Sequence, residues 1–209
     1  MFASRIDAGK QLVARVQPFV VPQTLVLGIP RGGVVVASEI ARGLKLPLDV
    51  LTVKKLSAPY MPELAIGALA PDHVSYIENR SALNTGADEA YINEEIDRVG
   101  KVLKHQEALF RKGKKPLLVK DRTIIIVDDG AATGATIEAA VKWLRKKDAY
   151  RIIAALPVVS TFIVKRIKPE VDELIVLEEP ADLEAVGQFY SDFEQVEDAE
   201  VIQLLASSV

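Results

Sequence analysis

The residues of this 209-residue chain whose types and spacing can do chemistry lie together in TIIIVDDGAATGATIEAA, residues 123 to 140. A β-branched, uninterrupted run, Thr123 to Val127, delivers two carboxylates, Asp128 and Asp129, at its C-terminal end. Small residues follow (Gly130, Ala131, Ala132, Thr133, Gly134, Ala135), and a helix is predicted from Thr136 to Lys147. In open α/β sheets, ligands bind outside the carboxyl ends of the strands. Small residues let the backbone curl so that several N–H groups converge on an anion. Thr133 and Thr136 add hydroxyl donors, and the helix N-terminus adds a partial positive charge. The segment therefore predicts a phosphate cradle. Two acids beside it would repel a bare phosphate, so they must serve another part of the ligand. Ribose hydroxyls suit carboxylate acceptors, as does a hydrated Mg²⁺. A ligand with phosphate at one end and a diol beside it is a ribose 5-phosphate.

Two other phosphate-binding patterns are absent. No Gly-rich loop ends in Gly-Lys-Ser/Thr, and no G-x-G-x-x-G opens a helix. An Asp pair would also suit a metal-dependent phosphatase or hydrolase, but no further His or Asp ligand cluster accompanies it.

The segment VDDGAATGAT resembles the signature of the type I phosphoribosyltransferases: an apolar strand, two acids, a small-residue loop, then Thr-Gly-x-Thr. The resemblance implies that Asp128 and Asp129 hold the ribose hydroxyls, and Mg²⁺ through water, while Gly130 to Thr136 hold the 5-phosphate of 5-phosphoribosyl-1-pyrophosphate. It also gives a role to GIPRGG, residues 28 to 33, where the family carries a pyrophosphate loop, typically with a strained peptide bond. Pro30, Arg31, Gly32 and Gly33 would form that loop, with Arg31 supplying charge. A third stretch, TVKKLSAPYMPELAIG from Thr52, stands where the family has a mobile loop that covers the reacting centre. Lys54 and Lys55 would neutralise phosphate there, and Glu63 is a further candidate. Arg31, Lys54, Asp128 and Asp129 are thus the expected catalytic set.

The likeness covers roughly residues 20 to 160. It is closest to stand-alone bacterial and archaeal phosphoribosyltransferase-domain proteins of unassigned substrate, which share the PRGG loop, PELAIGA and a pattern here written FYSDFEQV, residues 189 to 196. It implies Mg²⁺-dependent transfer to a nitrogen acceptor, such as a nucleobase in nucleotide salvage, and a homodimer. The acceptor-reading hood would lie in 178 to 209, where Phe189, Tyr190 and Phe193 either stack on an aromatic acceptor or pack the segment onto the core. Hypoxanthine-guanine enzymes carry a lysine after the strand that follows the cradle. LPVVS, residues 156 to 160, has none, which argues against a 6-oxopurine. A non-catalytic sensor of the same sugar is the alternative.

The elements that must position these residues read as an α/β, doubly wound, mainly parallel sheet of about five strands. Strands are predicted at Thr24–Ile29, Leu48–Lys54, Thr123–Val127, Arg151–Val159 and Glu173–Leu177, with short strands at Leu64–Ala70 and Val74–Glu78. Lys55 to Pro62 reads as a loop from its Ser and Pro content. Helices are predicted at Asp7–Val16, Val34–Arg42, Asp88–Lys112 and Asp198–Ala206. The expected organisation is a single domain, with its core at about 20 to 160 and a helical insertion at about 86 to 115.

Composition adds exclusions. With 26 basic and 29 acidic residues the net charge is −3, so no global field favours nucleic acid, and an anionic ligand must be held locally. The absence of cysteine removes disulfides, thiolate metal sites and a cysteine nucleophile. His73 and His105 are the two histidines, and both read as surface residues. No apolar run approaches the roughly 20 residues of a membrane span, and a cytoplasmic protein is expected.

Overall fold

The structure is a computed structural model that describes residues 1–115 and 117–207. Ser4 opens α1 (Arg5–Val16) by accepting a hydrogen bond from the Asp7 amide. β1 (Thr24–Gly28) leads through the Pro30–Gly33 turn into α2 (Gly32–Leu44), and then to β2 (Leu48–Val50). Next come β3 (Lys54–Ala58), β4 (Met61–Ala70), β5 (Val74–Ile77) and the helices α3 (Asn79–Asn84) and α4 (Glu89–Phe110). β6 (Thr123–Val127), α5 (Ala135–Lys146), β7 (Arg151–Val158), α6 (Thr161–Ile167), β8 (Glu173–Glu178) and α7 (Asp198–Ser207) complete the order.

The main sheet runs β2-β1-β6-β7-β8, and every pairing is parallel. A parallel sheet has both faces covered, which is why its strands are continuous apolar runs. Alternate residues feed two cores. Leu25, Leu27, Ile124, Ile126, Ile152 and Ala154 pack with α5 and α6, while Val26, Ile125, Val127, Ile153 and Ala155 pack with α1, α2 and α7. This is the expected doubly wound sheet of five strands. The chain leaves β1 outward to β2 and re-enters at β6 on the other side of β1. The switch in winding direction therefore falls between β1 and β6, where a crevice opens at the strand ends.

Two sequence expectations change. Leu48–Lys54 is not one strand: β2 ends at Val50, and Leu51, Thr52 and Val53 stay buried while the chain leaves the sheet. Lys55–Pro62 is not a loop either. β3 and β4 form an antiparallel hairpin within a separate three-stranded sheet, β3-β4-β5, and its core is shared with α3 and α4. Among the described residues, no helix is long and apolar enough to cross a membrane.

Candidate active site

β1 and β6 are adjacent and in register, Gly28 beside Val127, and the Ile29 amide donates to the Val127 carbonyl at 2.8 Å. The two sequence motifs that follow these strands are thereby brought side by side. A cavity of about 720 Å³ opens there. Pro30, Arg31 and Gly32 line it from the β1 side, Lys54 and Lys55 from the start of the hairpin, and Asp128 to Gly134 with Thr136 from the β6 side. Gly33 and Ala135 are buried and do not line it. Glu63 is exposed on β4 and does not line the cavity, and His73 and His105 are exposed. The Pro30–Arg31 peptide bond is cis, at the place where the resemblance calls for an unusual one.

The loop after β6 takes its shape from its small residues. Gly134 ends it at φ +73°, immediately before α5, and a Cβ there would lie 2.7 Å from Ile163 Cγ2. Glycine alone adopts that backbone without cost. The loop is also held from outside. Arg166 on α6 donates to the Thr133 carbonyl, to Glu138 Oε1 at 2.6 Å and to Glu78 Oε2 at 3.0 Å.

The two acids differ in surroundings. Asp128 is half-buried at the cavity wall; its Oδ1 accepts from the Asp129 amide at 2.9 Å and its Oδ2 from the Thr136 hydroxyl at 3.3 Å. Burial, reinforced by the Asp129 charge, pushes the Asp128 carboxyl well above the usual carboxylate range. Those two hydrogen bonds and Lys55 oppose the shift. Asp129 Oδ2 instead accepts from Arg5 Nε at 2.7 Å, and its carbonyl accepts from the Tyr190 hydroxyl at 2.6 Å. On the other wall, Arg31 Nη1 is 3.6 Å from Asp198 Oδ1, at the start of α7. Lys54 lies near both. Burial and the Arg31 charge hold its ammonium below the usual lysine value, while Asp198 pulls the other way.

Nothing in the sequence marks Arg5 or Arg166, while Glu184–Gly187, which also borders the cavity, and Asp198 fall within the 178 to 209 stretch expected to form the hood without being singled out there. Each comes from far along the chain and belongs to no short motif. The aromatic question divides: Tyr190 is buried against Phe2 at a ring-centroid distance of 5.3 Å, whereas Phe193 lines the cavity.

The doubly wound parallel sheet, with paired acids and a small-residue loop at its switch point, is the architecture of the type I phosphoribosyltransferase class. The chain belongs to the phosphoribosyl transferase domain family, whose model matches residues 19–180. Proteins from two Mycobacterium tuberculosis strains that carry the provisional name phosphoribosyl transferase are each 40% identical over 206 residues, 98% of this chain and 46% of their own length. The chain thus spans about half the length of the curated relatives it matches. The crystal structure of TT1426 from Thermus thermophilus superposes at a TM-score of 0.82 with 37% identity, over 99% of this chain and 98% of that one. An Aquifex aeolicus protein, AQ2163, shares the fold at a TM-score of 0.55 and 13% identity, over 88% and 78% of the two chains.

Proposed function

We propose that the chain transfers the 5-phosphoribosyl group from 5-phosphoribosyl-1-pyrophosphate to a nitrogen acceptor and releases pyrophosphate. The observation that carries this reading is the meeting, in one cavity, of the loop after β1 and the acid pair and cradle after β6. In the reaction the bond from ribose C1 to the pyrophosphate oxygen breaks and a bond from C1 to nitrogen forms. The nitrogen gives up its proton to solvent water, and the pyrophosphate departs with the electron pair.

The chain need not supply a nucleophile. It must position the sugar and stabilise the departing charge. Asp128 and Asp129 accept from the ribose hydroxyls, and the Gly130–Thr136 amides and hydroxyls take the 5-phosphate. Arg31, Lys54 and Lys55, with the amides of Gly32 and Gly33, take the pyrophosphate. Among the described residues there is no cluster of three or more metal-ligating side chains. Asp128 and Asp129, which both line the cavity, would hold Mg²⁺ through water. Bound there, Mg²⁺ would neutralise leaving-group charge. The acceptor side is bordered by Phe193 and Glu184–Gly187. Nucleotide salvage in the cytoplasm by a homodimer completes the reading.

The test is to incubate the protein with the activated sugar, Mg²⁺ and a panel of nitrogen heterocycles, and to follow pyrophosphate. Release with one acceptor supports the transferase. Tight sugar binding with no release would leave a sensor. Asp128→Asn combined with Asp129→Asn should abolish sugar binding, and undiminished binding would refute the assignment of the acid pair.

A further inference from the structure

Asp129 is fixed at two points by groups that the family signature does not contain. The Tyr190 hydroxyl holds its carbonyl at 2.6 Å, and Arg5 Nε holds its carboxylate at 2.7 Å. Arg5 is itself anchored twice more. Its Nη1 donates to the Glu194 carbonyl at 2.8 Å, and its guanidinium lies 3.7 Å above the Phe193 ring. Only 11% of its side chain is exposed. A guanidinium so enclosed is costly unless its partners are in place, so this geometry is specified rather than incidental.

The location matters as much as the contacts. A Cβ on Gly32 would collide with Asp129 Oδ2 and come within 2.7 Å of Arg5 Nε. Arg5 therefore sits where the loop after β1 meets the acid pair, in the wall of the same cavity as Phe193. The chain around it is tied down by backbone hydrogen bonds from Phe2 to Phe189, Ser191 to Phe2 and Asp192 to Ala3. These bonds run between the two segments that flank the cavity.

We propose that Arg5 is a positioning residue of the sugar site: it sets the Asp129 carboxylate for the ribose hydroxyls and, through Phe193, ties that carboxylate to the C-terminal segment bordering the acceptor side. The inference rests on the reading of Asp129 as a ribose ligand. Arg5 acts through Asp129 and Phe193, so it discriminates between parts of the ligand. A residue that merely stabilised the fold would affect every part alike.

The test uses ribose 5-phosphate and inorganic pyrophosphate as separate probes, each titrated with Mg²⁺ into the full chain by calorimetry. Arg5→Met should weaken ribose 5-phosphate at least tenfold and pyrophosphate less than threefold. Arg5→Lys should restore part of the loss, because a cation remains but its fork does not. Should Arg5→Met fail to fold, Arg5→Lys and Phe193→Leu carry the test, each with a smaller loss confined to ribose 5-phosphate. Equal losses of both probes, or no loss, would overturn the proposal. A wild-type protein that binds neither probe sinks the functional reading and this inference together. Wild-type binding of both, with Arg5 variants indifferent, sinks the inference alone.

Discussion

Lys54 shows how much a single residue's surroundings decide. Burial and Arg31 lower its affinity for a proton, and Asp198 only partly compensates. Between that lowered value and the ordinary 10.5, the folded chain holds fewer protons than the unfolded one, so the stability of the ligand-free protein rises with pH across this window. A pyrophosphate bound as proposed would reverse the balance, since its charge favours the ammonium. Pyrophosphate binding within the window should therefore take up a proton from the buffer. Binding enthalpies measured in two buffers of different ionisation enthalpy should differ more in the wild type than in Lys54→Met. The same buffer dependence in the wild type and in Lys54→Met would show that Lys54 does not face the ligand. Asp128, Asp129 and Arg31 could be placed at the cavity from the sequence because each belongs to a local motif beside a strand end; Lys54, which opens β3, was reached only through the family resemblance. Arg5 was not legible, because its partner Asp129 is 124 positions away and nothing near Arg5 marks it.

Among the elements, the loop between β6 and α5 carries the sharpest requirement. Gly134→Ala would force a side chain into φ +73° and against Ile163. The expected cost exceeds about 1 kcal/mol, or a fall in melting temperature of more than roughly 2–4 °C for a chain of this size. Binding of the 5-phosphate should weaken as well, because the amides that curl around it lose their arrangement. Unchanged melting and binding would show that the loop tolerates another shape. The main strands follow from uninterrupted apolar runs and the longer helices from hydrophobic periodicity. The hairpin did not, for a physical reason. The pairing of β3 with β4 shifts register at Leu56/Ser57 and again at Ser57/Ala58, so no clean alternation survives, and Pro59 and Pro62 add turn character. The short helices α3 and α6 escape notice because six and seven residues hold too few turns to show a period. The early end of β2 is hidden by composition, since Leu51 and Val53 are as apolar outside the sheet as Val50 is within it.

At the level of the whole molecule, the doubly wound parallel sheet could be read from the sequence because alternating strands and helices leave few topologies open. The closure of the site by both ends of the described chain could not, since pairings such as Phe2 with Phe189 carry no local signal. That closure also has a kinetic meaning. Contacts between distant positions pay the entropy of closing a long loop before they return anything. Arg5 meets Glu194 across 189 positions, whereas Gly28 and Leu51 hydrogen-bond across a single βαβ unit. The sheet and its helices should accordingly form before the strap that fixes Asp129. A chain refolding from denaturant should regain its far-ultraviolet dichroism before it regains the capacity to bind ribose 5-phosphate. Simultaneous recovery would place the strap within the folding nucleus.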